Sequence, residues 1–377
     1  MLHMQTPRRK RRGVFLLRLL TDKLFGVYKT AEGCYTERYE CNRRVGMSQK
    51  TMLALLRSAS GGYVSGEQVS EQLGLSRAAV WKAVDALRRK GYEIEARAGV
   101  GYRLVSAPDL VTEEEIRAFL GDDPREIHCF DEIDSTNNYL KKLAMTGAAH
   151  GTAAVADSQT AGRGRMDRVF QSPKGKGIYL SVLMRPQLPP QKLLPVTALC
   201  GVGVCRAVER VCGVQCQLKW PNDPVVNNRK LCGILTEMAL EGETGRLQYL
   251  VLGMGLNVAQ TAEDFTPDVA AIATSVNEAA GRSISRGALT AAMLEEIDAM
   301  YDALCRDDTA AYLEEYRARC VNLGKTVQLL RSDGSRETVS AEEVDEEFSL
   351  VVRHPDGRRE TIRSGEVSVR GMYGYVE

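Results

Sequence analysis

The sequence predicts a multidomain α/β protein: a small winged helix-turn-helix in front, a central α/β domain, and a short all-β segment at the end. Three observations predict it. Residues 48–107 change from helical apolar spacing to strict alternation. Residues 112–322 alternate helix-like and strand-like segments, and residues 323–377 read as short strands broken by Asp-Gly turns. A chain of 377 residues, at about 150 per domain, has room for two or three domains, and 44% apolar residues can fill their cores.

Residues 1–47 form a leader. "PRRKRRGVFLLRLLTDKLFGVY" starts like an export signal, but Arg18, Asp22 and Lys23 interrupt an apolar run already too short to span a bilayer. Periodic sequence begins just after Met47, so translation is expected to start there, with no membrane segment. In the winged helix, Met52, Leu53, Leu55 and Leu56 form a helical stripe closed by Gly61-Gly62. Ser65 to Gln68 reads as a capping box, and Ser76 caps a third helix whose Val80, Val84 and Leu87 share a buried face. "YEIEARAGVGYRL" is then a hairpin about Gly99-Val100-Gly101.

The formal net charge of +1 excludes a globally basic surface, so nucleic-acid binding has to come from a local patch. Arg77, Lys82, Arg88, Arg89 and Lys90 on the third helix, with Arg97 and Arg103 on the hairpin, supply one. The helix start is expected to enter a major groove, making Ser76, Arg77, Ala78, Trp81, Lys82 and Arg97 the candidate DNA contacts. Docking of a protein is the plainer alternative for the same module.

In the central domain "VTEEEIRAFLG" and "NNYLKKLAMTG" are capped helices. Strands are expected at Ala153–Asp157, Ile178–Leu183, Cys216–Lys219, Leu231–Met238 and Tyr249–Gly253. Ten cysteines without a CxxC pair read as buried free thiols in a reducing cytoplasm. Four scattered histidines without HExxH spacing argue against a transition-metal site. The nucleotide motifs fail: Asp167 stands where a GxGxxG fingerprint after Gly162 needs glycine, Val258 does so after Gly253, and no GxxxxGK[ST] or GxSxG occurs.

The remaining feature is "AGRGRMDRVFQSP", residues 161–173. Gly162 and Gly164 let backbone amides approach an anion, while Arg163, Arg165 and Arg168 offer forked, permanently charged donors. Alone the stretch also fits a flexible linker. It is accompanied by "DSTNN" upstream, then by "KWPNDP" with "RKLCGIL", then by "GMGLNV". Together these four stretches resemble the biotin protein ligases, and the winged helix in front makes the resemblance closest to the bifunctional ligases that also repress the biotin operon. It covers nearly everything from Ser48 onward.

The resemblance implies a ligase domain with a mixed sheet and a closing SH3-like β-barrel. It implies activation of biotin by ATP to biotinyl-5′-AMP, transfer to a biotin carboxyl carrier protein, binding of operator DNA, and a homodimer. By the same resemblance Ser135, Thr136, Asn137 and Gln159 contact biotin, Arg163 to Arg165 match the loop residues that close over biotin and its adenylate, with Gly162 and Gly164 among the substrate-binding candidates, and Lys230 contacts biotin and the reacting phosphate. Charge growing on the phosphoryl oxygens calls for fixed cations, for which Lys230 and Arg165 are the candidates. Arg168, Asn222 and Asn257 are candidate nucleotide contacts. Asp223 is the candidate Mg²⁺ ligand, although a turn after Pro221 would explain it as well. Ser135 also suits a helix cap, and Gly253 and Gly255 read as a strand end where something approaches closely, or as a plain turn. Two loop positions depart from the family: Asp167 replaces a glycine, putting an anion near the adenylate, and Phe170 replaces a tryptophan. A lipoate-type ligase and an effector-binding transcription factor without ligase activity are the competing readings.

Overall fold

Four helices begin where a hydroxyl side chain takes up a first free amide in the computed structural model, which describes residues 51–59, 61–331, 333–363, 367–371 and 375–376. Ser65 accepts from Gln68 N at 3.0 Å, Ser76 from Ala79 N at 3.3 Å, Thr112 from Glu115 N at 3.3 Å and Ser285 from Ala288 N at 3.3 Å. The leader, with Cys34, Cys41 and the expected start at Met47, lies outside the described residues. The chain divides into two compact units, with the boundary after Pro108.

In the first unit α1 (51–58), α2 (Gly66–Leu73) and α3 (Arg77–Arg89) precede the antiparallel hairpin of β1 (Glu93–Arg97) and β2 (Gly101–Ser106). Met52, Leu53, Leu56, Val69, Val80, Val84 and Leu87 pack with Tyr92 and Ile94 into one core. The hairpin docks through Gly101, where a Cβ would run into the Val64 carbonyl. Paired bonds between Val64 and Tyr102, at 2.8 and 2.9 Å, follow from that approach.

The second unit is built on a mixed sheet in the order β3 (Ile127–Phe130), β4 (Ala153–Ala156), β5 (Gly177–Met184), β10 (Leu247–Asn257) and β9 (Cys232–Leu240). β3 and β4 run parallel and every other neighbour is antiparallel. All eight residues of β5 are buried, which explains its unbroken apolar run. One face of the sheet packs with α4 (Glu113–Leu120) on α6 (Val196–Cys212) and α9 (Arg286–Cys305), the short α7 (Pro267–Ala270) and α8 (Val276–Ala280) lying between those two in the chain. Leu183, Ala154, Tyr249 and Val251 on the other face meet Leu140 and Ala144 of α5 (Thr136–Met145). The region Pro190–Cys212 is long and apolar enough to cross a membrane by length and composition, yet most of it is buried in this core.

A small antiparallel sheet of β6 (Gln217–Lys219), β7 (Asp223–Val226) and β8 (Arg229–Lys230) projects beside it. Asn227 and Asn228 both take positive φ, as a two-residue hairpin turn requires, and this sets Lys230 opposite Val225. The last five strands, β11 (Thr326–Arg331), β12 (Arg336–Val344), β13 (Leu350–Arg353), β14 (Arg359–Ile362) and β15 (Val367–Gly371), form an antiparallel sheet ordered 14-13-12-11-15. Asn322 and Phe348 tie this sheet to the Trp220 segment: Trp220 N donates to Asn322 Oδ1 at 2.8 Å and its indole donates to Phe348 O at 3.0 Å.

Arg286, at the start of α9, is 2% exposed and uses its whole donor edge. It bonds Asp109 through Nε at 2.7 Å and through Nη2 to the carbonyl at 2.6 Å, Asp157 at 2.6 Å and the Gly177 carbonyl at 3.2 Å. Two sequence expectations change here. β3 and the β7–β8 hairpin were not anticipated, and Gly253 and Gly255 lie inside β10 rather than at its end, because the ladder to β5 continues to Asn257 opposite Gly177.

Candidate functional site

A cavity of about 510 Å³ opens above the sheet of the second unit. Its wall is made by the start of α5, the arginine-glycine loop, the 219–223 turn, Lys230, the paired strands β9 and β10, and the segment around Phe265 to Ala273. Ser135, Thr136, Asn137, Gln159, Arg163, Gly164, Arg165, Arg168, Asn222, Asp223, Lys230, Gly253, Gly255 and Asn257 all line it. Gly162 is not among the lining residues. It is buried, and a Cβ there would strike the Phe170 carbonyl and the Ser172 hydroxyl, so its smallness serves the loop's own packing.

One side of the cavity is a neutral polar frame. Gln159 Oε1 accepts from Thr136 N at 2.9 Å and from Thr136 Oγ1 at 3.2 Å, while its amide donates to Ser172 Oγ at 3.1 Å. Ser181 Oγ stands 2.7 Å from Thr136 Oγ1 and 2.6 Å from Asn137 Oδ1. Asn137 in turn donates to Glu237 at 2.9 Å, and Lys141 donates to the other oxygen of Glu237 at 2.7 Å. Burial works to raise the Glu237 carboxyl, and the Lys141 and Asn137 bonds outweigh it, holding the group below the ordinary glutamate range. Ser135 caps α5, accepting from Asn138 N at 3.5 Å, so the hydroxyl has a structural role as well as a place on the wall.

The opposite side is cationic. Lys230 Nζ lies 2.7 Å from Asp223 Oδ1, and Arg165 Nη1 donates to Asn222 Oδ1 at 2.9 Å. Asn222 donates onward to the Ile234 carbonyl at 2.8 Å, fixing the loop arginine against β9. Burial pushes the Arg165 guanidinium below its usual value. It also works to raise the Asp223 carboxyl, but Lys230 and Lys219 prevail and hold that group below the ordinary aspartate range. Arg163 leans the other way, 3.4 Å from Glu237.

The paired positions Gly233 and Gly255 form a slot for an aromatic ring. A Cβ on Gly255 would strike the Phe170 ring, and one on Gly233 would lie 3.2 Å from it. At Gly253 a Cβ would strike the Asn137 carboxamide. What comes close to these glycines is therefore protein side chain. Met166, in the middle of the loop, holds a positive φ of 56° and is about half exposed. The Asp167 side chain lies outside the described residues, so its effect on the loop is not part of this geometry.

Asn257 lines the cavity, yet its amide donates to Thr274 O at 3.1 Å and its carbonyl accepts from Gln260 at 3.2 Å. Sequence reasoning missed Ser181, Glu237, Lys141, Lys219 and Tyr375. Lys219 opens the quoted KWPND stretch and was within reach; the others carry no local signal.

In the first unit the candidate contacts Ser76, Arg77, Ala78, Trp81, Lys82 and Arg97 are all exposed, with Trp81 57% accessible. Three other cations of the basic patch have local tasks. Arg88 binds the Ile94 carbonyl at 2.5 and 3.0 Å, Arg89 pairs with Asp85 at 2.8 Å, and Arg103 with Glu95 at 2.5 Å.

Comparison with known proteins agrees with both units. The biotin/lipoate A/B protein ligase family model matches residues 129–257, and a helix-turn-helix domain model matches residues 48–103. The bifunctional ligase/repressor BirA of Bacillus spizizenii is 42% identical over 240 residues, covering 63% of this chain and 73% of that protein. BirA of Escherichia coli is 32% identical over 321 residues, 85% of this chain and 96% of that one. The structure of biotin protein ligase from Aquifex aeolicus in complex with biotin and ATP superposes with a TM-score of 0.56 at 28% identity, over 65% of this chain and 99% of that chain.

Proposed function

The chain belongs to the BirA family of bifunctional ligase/repressors, and on that premise we propose how its residues divide the work. It is a biotin protein ligase that uses ATP, joined to a helix-turn-helix repressor of biotin genes. A carboxylate oxygen of biotin attacks the α-phosphorus of ATP, the bond to the β-phosphate breaks, and pyrophosphate leaves biotinyl-5′-AMP. The ε-amine of a lysine on a biotin carboxyl carrier protein then attacks the acyl carbon, and AMP departs.

One observation carries the assignment of roles: a single cavity holds Lys230, Arg165 and Lys219 on one side and a frame of hydrogen-bonded neutral side chains on the other. Biotin's neutral ureido end suits the frame of Ser135, Thr136, Asn137 and Gln159, where an unmatched polar group would cost about 1 to 3 kcal/mol. The carboxylate and the phosphates suit the cationic side, because fixed cations stabilise charge that grows in the transition state without reorganising. Lys230 and Arg165 are the principal cations, with Arg163 and Arg168 of the loop, Asn222 and Asn257 bordering the adenylate.

Magnesium does not fit Asp223 as the donor set stands. One of its oxygens is held by Lys230 at 2.7 Å and the other accepts from the Tyr375 hydroxyl, with Lys219 close by. Asp223 is instead an anchor for lysine, and no step is routed through a metal at that residue. Substitution Lys230→Ala should abolish biotin-dependent exchange of pyrophosphate into ATP while leaving the fold intact. Near-normal exchange in that variant would remove Lys230 from the mechanism. Labelling of a carrier domain by biotin and ATP, read by streptavidin blot, tests the complete reaction.

The finer architecture belongs to the same proposal. Residues 48–107 are a winged helix whose β1–β2 hairpin is the wing, residues 112–322 the catalytic domain, and residues 323–377 an SH3-like barrel. The active repressor is a homodimer on paired half-sites of operator DNA. Eight described cysteines are free, seven of them buried or partly buried, which suits a reducing cytoplasm.

A further inference from the structure

The C-terminal segment reaches the cavity through Tyr375, which is 8% exposed and seated among Val225, Val321 and Val376. Its hydroxyl donates to Asp223 Oδ2, and the Lys219 ammonium lies over its ring, 3.8 Å from the centroid. Lys219 faces Asp223 directly across the β6–β7 pair, while Lys230 arrives from β8 on the other side of β7. Two ammonium groups thus flank a single buried carboxylate. Two like charges beside one carboxylate repel each other, so where each ammonium is held matters.

Tyr375 resolves that competition. Its hydroxyl fills Oδ2 and its ring face receives Lys219, an arrangement favoured by the quadrupole of the ring. Oδ1 is left for Lys230, at 2.7 Å. We propose that Tyr375 is a positioning residue for the activation of biotin: through Asp223 it fixes the Lys230 ammonium where the transferring phosphoryl group develops charge, and it holds Lys219 aside. This rests on the reading of Lys230 as a cation of the first half-reaction.

The test uses the full chain and biotin-dependent pyrophosphate exchange. Tyr375→Phe keeps the ring and removes the hydroxyl, so kcat should fall about tenfold while KM for biotin and for ATP stays within about twofold, the pattern of an interaction needed only in the transition state. In an Asp223→Asn background the same substitution should cost nothing further, because the partner it braces is already altered. Unchanged kcat in Tyr375→Phe, a rise in KM alone, or an equal loss in both backgrounds overturns the proposal while leaving the ligase reading standing. Wild-type protein without exchange overturns the ligase reading, and this proposal with it.

Discussion

At Gly253 one added methyl group would enter the space of the Asn137 carboxamide, which already bonds Glu237 and Ser181. Neither neighbour can retreat without breaking the frame, so Gly253→Ala should destabilise the second unit by about 1 to 3 kcal/mol through overpacking. Urea unfolding would measure that loss. The same variant should bind biotin more weakly in calorimetry, because the carboxamide it displaces belongs to the biotin side of the cavity. Unchanged stability and affinity would mean that Asn137 moves freely and frames nothing. Residue by residue, the motif positions stood out because their types are chemically unusual for a core: glycines two apart beside an apolar run, arginines between glycines, a Ser-Thr-Asn run at a helix start. Ser181, Glu237 and Tyr375 were not, since each is an ordinary residue in its own stretch and acquires meaning only through a partner at least 44 positions away.

Elements were legible in proportion to how strongly local chemistry marks them. The capped helices begin where the hydroxyls predicted, and β5 and β10 are long apolar strands that extend the expected ones at both ends. β3 has four residues and β8 two, too few for a period to show, and β7 carries Pro224 in a position that reads as a turn. Between elements, charge does part of the joining. Glu209 on α6 receives Arg319 of α10 (Ala310–Arg319) at 2.5 and 2.8 Å, and the Arg319 bond holds the Glu209 carboxyl below its ordinary value. A carboxyl depressed by folding adds stability above its unfolded value and loses it as pH falls through the folded one. Glu209→Gln should therefore be less stable than wild type near neutral pH, with the gap in urea midpoint closing as pH falls below the ordinary glutamate range. A gap independent of pH would show that the pair contributes by packing alone.

For the whole molecule the two activities have to communicate, because a repressor that answers to biotin must sense the adenylate in one unit and bind DNA with the other. Biotin and ATP together should tighten operator binding in a gel-shift assay, and Lys82→Ala should reduce the salt slope by about one counterion while leaving ligase activity intact. A shift indifferent to biotin and ATP would remove the repressor function and spare the ligase. The order of the units was readable from the change of apolar period and from the motifs. The anchor at the start of the second unit was not, because Asp109 and Arg286 are 177 positions apart and only the fold brings them together. Asp109 opens the second unit, and Arg286 grips it by side chain and carbonyl while also holding Asp157 and Gly177, which stand on either side of the arginine-glycine loop. Within the second unit, one solvent-shielded guanidinium thus ties the first residue to both roots of that loop. Slack on the enzyme side of residue 109 would first require stripping a buried guanidinium of the two carboxylates that neutralise it.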